Sequence, residues 1–416
     1  MKICNYDKLD KDFFDSVGYD NMPDIDLLIN NVKNHGDNYI IELSKKFNDG
    51  DFKSSKDFLV SKDEIKDAYN KVDKNFINHI EISKANVKEF SEKQLKSLKE
   101  LEYKKENSIL GHKIIPLSRV LSYAPGGNYP LPSSCIMTIV PAKVAGVSEV
   151  ILTSPKIKPE TIVAADIAGA DKIYKLGGAQ AISAFAYGTQ TIKPVDKIVG
   201  PGNKFVNYAK KHVFGTVDID FIAGPSEVLI IADETANPKL IAADMLAQSE
   251  HDKDARAYLI TNSIKLAKNV QIEAENFLKT LPTSKIASIS FEKAICVVVD
   301  NYNKMAELSN LRAPEHLEIM VRDENLILPY LVNYGSLFIG ENCAEVFGDY
   351  VSGTNHVLPT NRAARYTGGL SVFDFVKIVT YQKINKEYAK ELSKTASYIA
   401  EKEGLFAHKL ASDLRI

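Results

Sequence analysis

Cysteine is scarce in this 416-residue chain: Cys4, Cys135, Cys296 and Cys343 stand far apart, with no CxxC spacing. A disulfide-stapled secreted scaffold is shorter and denser in cysteine, which excludes that class. A thiolate zinc site is excluded too, so any metal here must use nitrogen and oxygen donors. Charge of one sign is also missing. Lys and Arg number 52 against 54 Asp and Glu, a formal net charge of -2. No positive field exists to draw the phosphates of a nucleic acid. No apolar run reaches the roughly 18 residues of a membrane span. The opening segment, MKICNYDKLDKDFF, has no apolar core of signal-peptide length. The expected partners are small molecules or other protein chains, with no nucleic acid and no membrane, and the expected location is the cytoplasm. The full dinucleotide fingerprint is absent as well. Gly200-Pro201-Gly202 supplies GxG, but the third glycine and the distal acidic residue are not where that motif needs them.

What remains is a composition with 45% hydrophobic and 25% charged residues, enough for a sizeable core. From Ser61 to Lys104, apolar residues such as Ile65, Tyr69, Val72, Phe76 and Ile80 recur at helical spacing in a charged background. This reads as an amphipathic helical layer without chemistry. From Ile109 the character changes. Strands are expected at Val150–Ser154, Lys172–Leu176 and Lys197–Val199, with helices around Ile162–Ala168, at Ala179–Tyr187 and at Asn203–Val213. Strand, glycine turn and helix in repetition signal right-handed βαβ units on a parallel sheet. In such sheets ligands sit at the carboxyl ends of the strands. A second series follows, with strands at Val228–Ala232, Ala257–Thr261, Ile295–Val299, Leu317–Val321 and Ser336–Ile339 and helices at Pro238–Glu250, near Met305–Asn310 and at Leu326–Tyr334. The tail from Gln382 onward reads as helical. The expectation is an α/β protein: two α/β domains with parallel sheets, a helical N-terminal arm and a small C-terminal helical domain. No sequence repeat links the two series.

Four clusters are able to carry chemistry. Gln248 and His251 lie three apart on an expected helix, which puts both side chains on one face within reach of one ion. Glu315 and His316 follow Pro314, and together offer proton-transfer groups with different intrinsic pKa values. Asp349 and His356 stand seven apart in a segment rich in Gly, Ser and Asn. Glu403 and His408 lie near the C-terminus. The remaining histidines, His35, His79, His112 and His212, have no partner residue nearby and read as structural or surface residues.

Taken in order, YAPGGNYPLPSSCIMTIVPAKVAGV from Tyr123, GGAQAISAFAYGT from Gly177, VDKIVGPGNKFV from Val195, AGPSEVLIIAD from Ala223, ADMLAQSEHD from Ala243, APEHLEI from Ala313 and GDYVSGTNHVLPT from Gly348 resemble the histidinol dehydrogenase family. The resemblance covers nearly everything from residue 110 onward. It implies two incomplete Rossmann-like domains. Residues 1–20 would be the helical arm, 21–119 with 228–370 the catalytic zinc domain, 120–227 the NAD-binding domain and 371–416 the C-terminal helical tail. It also implies a homodimer with shared active sites. Gln248, His251, Asp349 and His408 fall where that family places its zinc ligands, and Glu315 and His316 fall on its catalytic acid–base pair. Ser226, His356 and Glu403 match substrate contacts. Tyr123, Gln180 and Asn203 match NAD contacts.

The implied activity is a four-electron, NAD-linked and zinc-dependent oxidation of L-histidinol to L-histidine through histidinaldehyde, the last steps of histidine biosynthesis. His316 would manage protons and Glu315 would activate water. The alternatives are a relative that oxidises another small hydroxylated substrate, such as a sulfonated diol, and a zinc hydrolase that needs no nicotinamide.

Overall fold

A computed structural model describes residues 1–9, 13–14, 21–47, 49–105, 107–126 and 130–415. The first strand, β1, is Lys2–Asn5. Leu101–Lys105 (β2) and Ser108–Pro116 (β3) form an antiparallel hairpin. The first glycine-punctuated series then supplies β4 (Arg119–Tyr123), β5 (Glu149–Thr153), β6 (Lys172–Tyr174), β7 (Lys197–Val199) and β8 (Asp218–Ile219). The second supplies β9 (Glu227–Ala232), β10 (Arg256–Thr261), β11 (Ile295–Val298), β12 (His316–Met320) and β13 (Ser336–Ile339). Val376–Ile384 (β14) pairs antiparallel with β3.

Both series make parallel sheets, in the orders β6-β5-β4-β7-β8 and β1-β11-β10-β9-β12-β13. Numbered within its own series, each runs 3-2-1-4-5, and the second gains β1 at one edge. The chain therefore builds the same topology twice, although no sequence repeat announces it. Continuous apolar runs make this possible. Every residue of β9 is buried, as expected for a parallel strand covered on both faces. The connecting helices are punctuated at both ends. Pro132–Ala145 starts on proline and stops at Gly146, whose φ of 91° is a left-handed cap that favours glycine.

The packing corrects two expectations. Helices Pro23–His35 and Asp37–Lys46 bury Leu28, Ile29, Val32, Ile40 and Leu43 against Leu121, Ile151, Ile182 and Phe185. Helices Lys62–Lys71 and Lys74–Ser97 bury Ala68, Ile80 and Val87 against Val120, Val150 and Ile136. The helices of residues 21–119 thus clothe the five-stranded sheet, not the six-stranded one with 228–370, and residues 101–116 join β14 in a sheet of their own instead. Val357, Leu370, Val372 and Phe375 pack on the five-stranded sheet too. The helical arm of residues 1–20 is the second correction. Lys2–Asn5 extends as β1 and pairs parallel with β11, which satisfies its backbone groups at a sheet edge. Residues 10–12 and 15–20 of that arm lie outside the described residues, as do 127–129 of the glycine-rich turn after Tyr123.

Smaller differences have local causes. The helix expected at Leu326–Tyr334 is two 3-10 turns, Glu324–Leu326 and Leu328–Tyr330, because Pro329 interrupts the backbone hydrogen-bond ladder. The helical tail begins only at Lys386, after β14, with helices Lys386–Lys402 and Phe406–Asp413. Among the described residues no helix is long and apolar enough to cross a membrane.

Candidate active site

Parallel order brings the first residues of β9 and β12 side by side, with His316 level with Val228. Ser226 and Glu227 therefore meet Glu315 and His316 at the amino edge of the six-stranded sheet. Helix Pro238–Ser249 returns toward this edge, so Gln248 in its last turn and His251 just beyond it arrive at the same place. After β13, helix Glu345–Tyr350 brings Asp349, and the following loop brings His356. Ser226, Gln248, His251, Glu315, His316, Asp349 and His356 line one cavity of ≈ 190 Å³.

Gln248, Glu315 and His316 are 0%, 6% and 4% exposed, while His251 lies at the exposed rim. His316 Nδ1 stands 3.2 Å from the Glu227 carbonyl. A carbonyl only accepts, so Nδ1 carries the proton. His316 Nε2 is buried without a hydrogen-bond partner, 3.6 Å from Asp349 Oδ1. His356 Nδ1 likewise donates to the Asp349 carbonyl at 2.8 Å. The Glu227 N–H donates to Glu315 Oε2 at 2.8 Å.

Burial pushes the Glu315 carboxyl up to about 8, and the negative charges of Glu227 and Asp349 add to this against the opposing pull of His316. Burial pulls His316 down, but Glu345, Glu315 and Asp349 outweigh it and hold the imidazole well above its ordinary value. Asp349 stays below the usual carboxylate range: burial opposes this, and His316, His356 and His251 overcome it. The surrounding protein holds the His251 and His356 imidazoles low, which keeps them neutral and able to donate lone pairs.

Sequence reasoning missed Glu345. His251, Glu345 and Asp349 each place a ligand atom within 4.8 Å of the others. Turned so that its nitrogen faces Glu345, the Gln248 carboxamide donates to that carboxylate at 2.7 Å. Glu345 lies four residues before Asp349, one helical turn, and that spacing was the available signal. The donor set is nitrogen and oxygen only, suited to zinc. It sits at a helix carboxyl end, where exposed carbonyls favour a cation.

The other candidates are placed elsewhere. Tyr123, Gln180 and Asn203 line a separate groove of ≈ 720 Å³ with Leu28, Phe47, Gly178 and Phe205. Tyr123 ends β4, and its hydroxyl accepts from Gly178 N at 3.1 Å. Asn203 caps helix Lys204–Val213 by accepting from Phe205 N and Val206 N. This groove lies at the carboxyl ends of the five-stranded sheet. Glu403 and His408 are exposed on the C-terminal helices and line neither cavity. Of the unassigned histidines, His212 pairs with Asp26 at 3.0 Å and His112 contacts the Lys99 carbonyl at 2.9 Å, both outside the cavity.

Twin Rossmann-like sheets, a buried Glu–His pair and a cluster of metal-ligating side chains together define an α/β enzyme, and comparison with known proteins makes it an oxidoreductase. The family model for histidinol dehydrogenase matches residues 18–416. A histidinol dehydrogenase of Methanococcus maripaludis is 45% identical over 95% of this chain and 93% of its own length. One of Aquifex aeolicus is 45% identical over 93% of this chain and 91% of its own. The crystal structure of histidinol dehydrogenase from Elizabethkingia anophelis superimposes with a TM-score of 0.93 at 35% identity, covering 100% of this chain and 98% of that one. This chain belongs to the histidinol dehydrogenase family.

Proposed function

We propose that the amino-edge cavity oxidises L-histidinol to L-histidine through a retained histidinaldehyde, in two NAD-linked steps with zinc. The observation that carries this is the convergence of Gln248, His251, Glu315, His316, Asp349 and His356 on one cavity from three separated segments. Gln248, His251, Asp349 and His408 would hold the zinc, with Glu345 orienting the Gln248 carboxamide. Bound zinc would position and polarise the substrate. The groove of Tyr123, Gln180 and Asn203 would bind NAD, and two NAD molecules in succession would supply the acceptors for the two hydrides. The NAD phosphates suit the N–H groups at the start of helix Gly178–Tyr187.

His316 takes the alcohol proton through Nε2, the nitrogen left free by the Glu227 carbonyl. Neutralising the surrounding carboxylates turns this imidazole into a base. Glu315, poised near neutrality, takes a proton from the water that attacks the aldehyde, and His316 again manages protons in the second oxidation. Ser226 and His356 face the substrate. Holding the aldehyde in an enclosed cavity keeps a reactive intermediate from escaping.

Glu403 and His408 come from a second copy in this reading. They are exposed, and Tyr398, Ile399, Phe406, Leu410 and Leu414 beside them stay uncovered in the single chain. Contiguous apolar surface of this kind marks an interface. Mixing inactive His251→Ala and His408→Ala chains should restore part of the activity; no recovery would mean that each site is self-contained. A cytoplasmic location belongs to this reading, in keeping with the scarcity of cysteine. The direct test counts NADH per histidinol consumed, with and without zinc chelation. Two NADH, lost on chelation, is the expected outcome. No NADH from folded, zinc-loaded protein would overturn the reading.

A further inference from the structure

Glu227 lies at the hub of the site yet does not line the cavity. Its main chain holds both proposed catalytic groups, through N–H to Glu315 Oε2 at 2.8 Å and through C=O to His316 Nδ1 at 3.2 Å. The alternate orientation of Gln248 also accepts from the same N–H, at 3.2 Å. The Glu227 side chain points away, where Oε2 accepts from Arg312 Nε at 2.9 Å and also from Arg312 Nη2. Arg312 Nη1 donates to the Phe13 carbonyl at 2.9 Å, and the guanidinium lies over the Tyr258 ring, 4.7 Å from its centroid. Glu227 and Arg312 are 1% and 3% exposed.

Arg312 is the last residue of helix Tyr302–Arg312, and Ala313 turns the chain in the left-handed region at φ 49° before Pro314 leads into Glu315. One residue, Glu227, therefore grips both ends of the five-residue segment Arg312–His316: its carboxylate takes the first residue, and its main chain takes the last two. Buried ion pairs add little net stability over apolar packing, so what such a pair supplies is direction. Two guanidinium N–H groups converging on Glu227 Oε2, a third held by the Phe13 carbonyl and a planar face stacked on Tyr258 fix the direction of this pair.

We propose that the Arg312–Glu227 pair is a positioning device for the reaction. It fixes the Glu227 main chain between β9 and β12, and through it the rotamers of Glu315 and His316. It also keeps the His316 proton on Nδ1, which leaves Nε2 for the substrate. The inference rests on the catalytic reading of Glu315 and His316 given above.

The test measures kcat, both KM values, metal content and melting temperature for Arg312→Met, Arg312→Lys and Glu227→Gln. A misplacement of about 1 Å in a catalytic group costs on the order of 100-fold in rate. The expected result is a kcat lowered about 10- to 100-fold at full metal occupancy, with KM for histidinol and NAD within about twofold of the parent. Arg312→Lys should recover only part of the loss, because an ammonium has no planar face for Tyr258 and cannot hold Glu227 and the Phe13 carbonyl together. If Arg312→Met does not fold, Glu227→Gln keeps the volume and removes only the charge. A lowered melting temperature with unchanged kcat per metal-loaded molecule would overturn the proposal, and so would a loss of rate that only tracks loss of metal. His316→Ala separates the two readings. If it leaves turnover intact, the catalytic reading fails; if it abolishes turnover while the pair's variants do not, only the positioning role falls.

Discussion

The two parallel sheets share one strand order and use opposite ends of it. In the five-stranded sheet the groove opens where β4 and β7 finish, at the carboxyl side of the point where strand order reverses, with Tyr123, Gly178 and Asn203 around it. This is the usual place for a ligand in an open α/β sheet. In the six-stranded sheet the equivalent reversal lies between β9 and β12, but the cavity gathers at their amino ends. The carboxyl side is closed there by Asp233, which follows β9. Its carboxylate accepts from Arg322 N at 2.8 Å, Thr235 N at 2.9 Å and the Tyr302 hydroxyl at 2.8 Å. The two ends also differ in kind. The groove presents helix amino termini, which suit anions; the cavity receives the carboxyl end of Pro238–Ser249, which suits a cation, together with Ser133 and Ser134 from the first turn of Pro132–Ala145. A repeated topology does not by itself dictate at which end a cavity forms.

The sharpest test of this division pairs one variant from each end. His316→Ala should lower kcat by about 1000-fold, the middle of the range for losing an acid–base group, and leave NAD binding and metal content intact. Gln180→Ala should raise KM for NAD by about tenfold, equivalent to about 1.4 kcal/mol, with kcat little changed. Steady-state kinetics with equilibrium NAD titration would measure both. Loss of NAD affinity in the first variant, or of kcat in the second, would merge the two ends into one site.

A smaller effect probes the plug. The Asp233 carboxyl is held below its ordinary range: burial pushes it up, but hydrogen bonds from Arg322, Thr235 and Tyr302 outweigh that. A depressed folded pKa stabilises the protein above the unfolded value near 4 and loses that contribution as pH falls through the folded one. Asp233→Asn should therefore cost about 2 kcal/mol at neutral pH. The gap to the parent should narrow in acid, as denaturant melts across pH would show. A gap that is constant with pH would mean that the carboxylate charge contributes nothing to closing this end.

Much of this was legible in the sequence. Short apolar runs marked most of the parallel strands, and the motifs around Gln248, Glu315 and Asp349 picked out residues that do share one cavity. What escaped was nonlocal. The pairing of β3 with β14 joins residues more than 250 positions apart, so nothing in either stretch signalled the other. Glu345 offered only its spacing of four from Asp349, and its approach to Gln248 comes from the packing of helix Glu345–Tyr350. Choice of the amino edge was invisible too, because it depends on how the loop after β9 packs. Glu403 and His408 were selected by resemblance alone, and within one chain they meet none of the other candidates.

Strand β1 gives the six-stranded sheet a timetable. Its residues emerge long before those of their partner β11, which lies near residue 295. At about 5–20 residues per second, the N-terminus waits on the order of tens of seconds. Residues 119–219 hold all five strands of the smaller sheet and can close around local contacts meanwhile. The larger sheet is finished from both ends of its sequence, and Arg312 reaches back to Phe13 when it is. A chain stalled before β12 thus carries the strands that shape the groove but neither Glu315 nor His316, so the cavity is the later of the two to be completed.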